Sequence, residues 1–122
     1  MVKLDHLSIP VRDPQGSRDW YVRHFGFKVE FEVPERDTVA LQDDAGFTVF
    51  LMKAAPDAPP PTCILTFQVG DVEATHQQLA AAGVAFEASP QKRFWGYGAE
   101  LRDPDGYLIF VWDERSMREK GG

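Results

Sequence analysis

The chain has 122 residues, 43% hydrophobic and 26% charged, with a formal net charge of −6. That is the composition of a folded domain rather than a disordered segment, and its acidity argues against a nucleic-acid binder, which would need positive charge to meet phosphates. No apolar run of about 18 residues is present to span a bilayer. Met1 to His6 holds no signal-peptide core, and with Cys63 as the sole cysteine no intramolecular disulfide can form, so a reducing, cytoplasmic setting is expected.

The first element is an alternating strand, Leu7-Ser8-Ile9-Pro10-Val11-Arg12-Asp13, ending in an acid. A helix is predicted over Pro14–Phe25, with Asp13 at the N-cap and Pro14 at the first helical position. Tyr21 and Phe25, four apart, share one helix face. Gly26 can end the helix in the left-handed conformation and leads into a strand over 27–32. Strands over 38–42 and 47–52 follow, joined by the turn Asp43-Asp44-Ala45-Gly46. The segment 54–61 holds Pro56, Pro59, Pro60 and Pro61 and reads as a stiff, extended linker.

The pattern then repeats. Leu65-Thr66-Phe67-Gln68-Val69-Gly70-Asp71 answers the opening strand, and a helix is predicted over 72–82 with Asp71 as its cap and Val72, Leu79 and Ala82 as its apolar stripe. Gly83 takes the place of Gly26, a strand follows over 84–87, and strands over 99–102 and 107–112 are joined by Asp103-Pro104-Asp105-Gly106. The expected fold is α+β: one domain over 1–122, made of two tandem βαβββ modules (1–53 and 62–113) with the linker 54–61 between them. The charged tail 113–122 is expected to fray.

Leu4-Asp5-His6-Leu7-Ser8-Ile9, Trp20-Tyr21 with Phe25-Gly26-Phe27, and Phe94-Trp95-Gly96 followed by Arg102-Asp103-Pro104-Asp105-Gly106-Tyr107 make the chain resemble the vicinal oxygen chelate superfamily, the glyoxalase/bleomycin resistance protein/dioxygenase fold. The resemblance spans roughly Lys3 to Trp112. It implies a curved mixed sheet around a cleft, and a homodimer with ligand sites near the subunit interface. Metal enzymes of this fold take ligands from the first and last strand of each module. Here those positions read His6, Phe50, Ile64 and Phe110, so three of the four cannot coordinate.

Strand alternation extends the comparison. If His6 faces the cleft, so do Leu4, Ser8 and Pro10, while Leu7, Ile9 and Val11 face the helices. By the same rule Thr48, Phe50 and Met52, Ile64, Thr66 and Gln68, and Leu108, Phe110 and Trp112 line it. An apolar, aromatic lining with few polar handles suits a small molecule better than a divalent ion. The candidate ligand-binding set is His6, Phe50, Ile64, Thr66, Trp95, Tyr97, Glu100, Phe110 and Trp112, with no metal and no cofactor expected. Trp95 and Tyr97 lie on the Gly-rich stretch Phe94-Trp95-Gly96-Tyr97-Gly98, where an aromatic side chain can either stack on a ligand or plug the core. Asp103 and Asp105 read as turn caps, Cys63 as a packing residue, and His24 and His76 as surface or packing residues.

Three functional readings follow. The first is a binding protein resembling the drug-sequestering bleomycin-resistance branch, holding an aromatic or cationic small molecule unchanged at a homodimer interface. The second is an enzyme, a glyoxalase-like lyase or isomerase or a dioxygenase relative; without a metal it would use His6 as base, assisted by Glu100 or Tyr97. A third reading is an accessory subunit whose cleft is merely core.

Overall fold

The computed structural model describes residues 1–122. The chain divides into two compact units, Met1–Pro59 and Pro60–Gly122. The first contains β1 (His6–Val11), α1 (Pro14–Phe25), β2 (Lys28–Val33), a 3₁₀ turn (Pro34–Arg36), β3 (Thr38–Gln42) and β4 (Thr48–Lys53). The second contains β5 (Ile64–Gln68), α2 (Val72–Ala81), β6 (Phe86–Arg93), β7 (Gly96–Arg102), β8 (Leu108–Trp112) and α3 (Glu114–Lys120). Each unit folds its own four-stranded mixed sheet, in the orders β1-β4-β3-β2 and β5-β8-β7-β6. In both, the first and last strands pair in parallel and the other pairings are antiparallel. The two tandem βαβββ modules are therefore present, each with a complete sheet.

Local chemistry explains the match between the halves. Gly26 and Gly83 leave their helices at φ 69° and 89°, a conformation costly for any residue with a Cβ. In the first turn the Asp43 carboxylate accepts the backbone N–H groups of Ala45 and Phe47, at 3.0 and 2.8 Å. In the second, Asp103 accepts those of Asp105 and Tyr107, both at 2.9 Å. Asp71 caps α2 through the Ala74 N–H at 3.0 Å. Asp13 holds the N-cap position of α1, but its carboxylate makes no capping bond.

One face of each sheet packs on its helices and is dry. Ile9, Val11, Val39, Leu41 and Leu51 fill it in the first unit, and Ala99, Leu101, Ile109 and Val111 in the second, joined by Val72 and Leu79 of α2. Burial of each large side chain here contributes about 1.5–3 kcal/mol. The opposite face is open along the first strands: His6, Ser8 and Pro10 are exposed, as are Ile64, Thr66 and Gln68. Leu7 departs from the expectation, being 44% exposed at the start of β1.

Three further expectations are corrected. The tail does not fray: Asp113 caps α3 by accepting the Ser116 N–H at 2.6 Å, and the Met117 sulfur lies against the Tyr97 N–H. Cys63 is exposed rather than packed. The strand expected over 84–87 begins at Phe86 and continues to Arg93, because its pairing with β7 is carried past two irregularities, between Phe86 and Ala88 and between Ala88 and Gln91.

Candidate functional site

The face of the second sheet away from its helices carries the densest group of candidate residues. Pairing sets Thr66 beside Phe110, Phe110 beside Glu100, and Glu100 beside Ala88, one row across all four strands. Phe94 and Trp95 form the two-residue turn between β6 and β7, and Trp95 folds back over this row. Its indole stacks on Phe110 with centroids 4.7 Å apart and planes 7° from parallel. Phe94 meets the same ring edge-on at 6.4 Å while remaining 90% exposed. Gly98 makes room for the indole, since a Cβ there would fall 2.4 Å from Trp95 Cη2.

The polar centre of this face is Glu100, buried to 6% exposure. Its Oε2 accepts Arg93 Nε at 2.8 Å and Trp95 Nε1 at 2.9 Å, and its Oε1 accepts Arg93 Nη2 at 3.4 Å. Burial pushes the carboxyl up, but the Trp95 and Arg93 hydrogen bonds and the Arg93 charge outweigh it, so the group stays ionised below its ordinary range. One carboxylate thus fixes an indole and a guanidinium together.

The remaining candidates fall outside this group. Tyr97 points to the helix side of the sheet: its hydroxyl donates to Glu73 of α2 at 2.7 Å, and Lys120 of α3 lies over its ring at 5.0 Å. That bond and burial raise the phenol above its ordinary range. Trp112 is half-buried beside Gln68, and Ile64 is exposed beside Leu108. The first unit brings His6 and Phe50 together, ring centroids 4.5 Å apart, with Phe31 at 5.7 Å from Phe50. A bulge between Val29 and Phe31 brings Phe31 into register with Ala40, next to Phe50. Beside them Thr48 donates to Glu30 at 2.6 Å, and His6 Nδ1 lies 2.9 Å from the Asp5 carboxylate.

The four positions that the resemblance assigns to a metal do not fit one. Phe50, Ile64 and Phe110 offer no donor atom, and no three His, Cys, Asp or Glu side chains come together as a ligand group. A cavity of about 430 Å³ in the first unit is lined by Arg12, Asp13, Glu32, Thr38 and Lys53 among others, and by none of the candidate residues. Arg93 and Phe31 were not among those candidates. A cation two positions before Trp95 and an aromatic at the centre of β2 were the available signals.

The sequence family described as Glyoxalase/Bleomycin resistance protein/Dioxygenase superfamily matches residues 3–111. Among solved structures, TnmS3, an antibiotic binding protein from Streptomyces sp. CB03234, is 28% identical with a TM-score of 0.77, covering 92% of this chain and 96% of that one. TioX from Micromonospora sp. ML1 is 25% identical with a TM-score of 0.70, covering 89% and 97%. A superfamily member from Sphaerobacter thermophilus DSM 20745, 24% identical with a TM-score of 0.77, covers 93% and 98% and shares the fold. No curated protein matches the sequence. No helix is long and apolar enough to cross a membrane.

Proposed function

The chain belongs to the glyoxalase/bleomycin resistance protein/dioxygenase superfamily, and on that premise we propose that it is a cytoplasmic homodimer that binds a planar aromatic small molecule and releases it unchanged. The observation that carries this reading is the Trp95–Phe110 stack pinned by Glu100. Phe110 occupies a position where metal enzymes of the fold place a carboxylate, and an aromatic surface has replaced it. Stacked rings with one fixed polar group are what a flat ligand needs for affinity and orientation. The likeness to TnmS3, which binds an antibiotic, supports the same class of function. The ligand would lie in an aromatic cleft at the dimer interface, with no resident metal.

A second reading, a metal-free lyase or isomerase, is favoured by one feature: the Asp5 carboxylate beside His6 Nδ1 would orient the imidazole as a base. Its suggested assistants are already engaged, Glu100 by Arg93 and Trp95, and Tyr97 by Glu73.

Calorimetric titration of Zn²⁺, Ni²⁺, Mn²⁺ and Fe²⁺ into chelator-stripped protein, with His6→Ala as control, separates the proposal from metal-dependent chemistry. The expected result is no His6-dependent binding tighter than about 10 µM, roughly 7 kcal/mol. Tighter binding that disappears in His6→Ala would overturn the metal-free reading. Aromatic compounds bound by the protein should be recovered with unchanged mass; conversion of any of them would establish the enzyme.

A further inference from the structure

We infer that Arg93 is the ligand-facing donor of the second sheet's aromatic face, and that it selects planar aromatic compounds bearing an anionic oxygen over cationic ones. This rests on the reading of that face as the ligand site.

The acidic chain as a whole would favour a cation, but the local groups point the other way. Glu100 is the buried carboxylate of this face, and its oxygens are taken by Arg93 and Trp95. A cationic ligand would have to displace a guanidinium from a bond that also anchors the indole. Charges elsewhere on the surface are screened over about 8 Å at physiological salt, so contact groups decide.

Arg93 has donors to spare. Nε and Nη2 face Glu100, while Nη1 meets no protein acceptor, and the side chain keeps 35% of its exposure. The other arginine on this face, Arg102, is committed to Glu87 through Nε and to the Gly106 carbonyl through Nη1. A guanidinium held in one plane by two bonds presents its remaining N–H groups in a fixed direction, at little entropic cost on binding. Because Arg93 and Trp95 share Glu100 Oε2, the guanidinium and the Nε1 edge of the indole meet at one carboxylate oxygen. A ring placed against that indole with a carboxylate, sulfonate or phenolate at its edge would meet both.

Three probes with one ring system isolate the charge: 2-naphthoate, naphthalen-2-ylmethanol and naphthalen-2-ylmethylammonium. Each is titrated into the intact protein at neutral pH and physiological salt, followed by the NMR signals of the Trp95 Nε1–H and the Arg93 side chain. The naphthoate is expected to bind about tenfold tighter than the ammonium, moving both signals. Arg93→Gln should remove that preference and weaken the naphthoate more than the alcohol, while Arg93→Lys should keep part of it. If Arg93→Gln folds poorly because Glu100 loses its partner, Arg93→Gln/Glu100→Gln buries no lone charge and takes its place. Equal or tighter ammonium binding at this face, or a preference that survives Arg93→Gln, overturns the inference and leaves the aromatic site standing. Binding of none of the three, or shifts that bypass Trp95 and Phe110, overturns the aromatic site and this inference together.

Discussion

Trp95 and Phe110 lie face to face, 4.7 Å apart, and the same indole is held at its edge by Glu100. Stacking fixes the ring's plane and the hydrogen bond fixes its rotation within that plane. A turn residue, ordinarily among the most mobile in a hairpin, is thereby given a defined position. Phe110→Ala removes the stacking partner and a buried aromatic, with an expected cost of about 3–5 kcal/mol. Chemical denaturation measures that cost, and the Trp95 Nε1–H signal should broaden as the indole becomes mobile.

Glu100→Gln keeps the shape but turns a charge-assisted network into a neutral one, with an expected loss of about 1.5–3 kcal/mol. The native carboxyl is held below its unfolded value. Its contribution is therefore complete above the ordinary carboxylate pKa of about 4 and is lost as the pH falls through the lowered native value. In Glu100→Gln that part of the acid-induced loss of stability should be absent. Denaturant midpoints from neutral to acidic pH test this, and parallel curves for the two proteins would refute it.

Gly98 is expected to tolerate no side chain. A Cβ would stand 2.2 Å from the Val111 carbonyl oxygen, a backbone atom in the neighbouring strand, as well as against the indole. Gly98→Ala should destabilise by about 1–3 kcal/mol and weaken binding of any Trp95-dependent ligand, both readable in one thermal-shift titration.

Tyr97→Phe tests the separation of the two faces. It deletes the bond to Glu73 on the helix side and should cost about 0.5–1.5 kcal/mol while leaving affinity for aromatic probes unchanged. A matched loss of affinity would place Tyr97 back with the ligand-binding residues.

What the sequence made legible was the local chemistry. Repeated acids, glycines and turns fix where chains bend, and Asp43 and Asp103 act within four residues of themselves. Alternation also separates the two faces of each strand, because it needs only the strand's parity. A strand read as starting at Ala99 leaves Tyr97 on the Gly-rich loop, with no face assigned to it. With β7 starting at Gly96, Tyr97 falls on the side of Ala99 and Leu101, opposite Glu100. The Arg93–Glu100 pair depends on the tight turn and pairing of β6, which two irregularities conceal from a period-two pattern. Likewise α3 has almost no apolar periodicity, so nothing in the pattern of 113–122 distinguishes the helix capped by Asp113 from a loose end.

Asp113 acts beyond its own helix. Its Oδ2 also accepts the Val72 N–H, the first of α2, at 2.6 Å, and it accepts the Ser116 hydroxyl at 3.1 Å. Burial would raise this carboxyl, but the backbone donors of Ser116 and Val72 outweigh that and hold it low. Two helices far apart in the chain therefore begin on one side chain. In hydrogen-exchange terms the amides of Val72 and Ser116 depend on one acceptor side chain, through its two separate oxygens, and the protection of both should fall when Asp113 is changed to Ala.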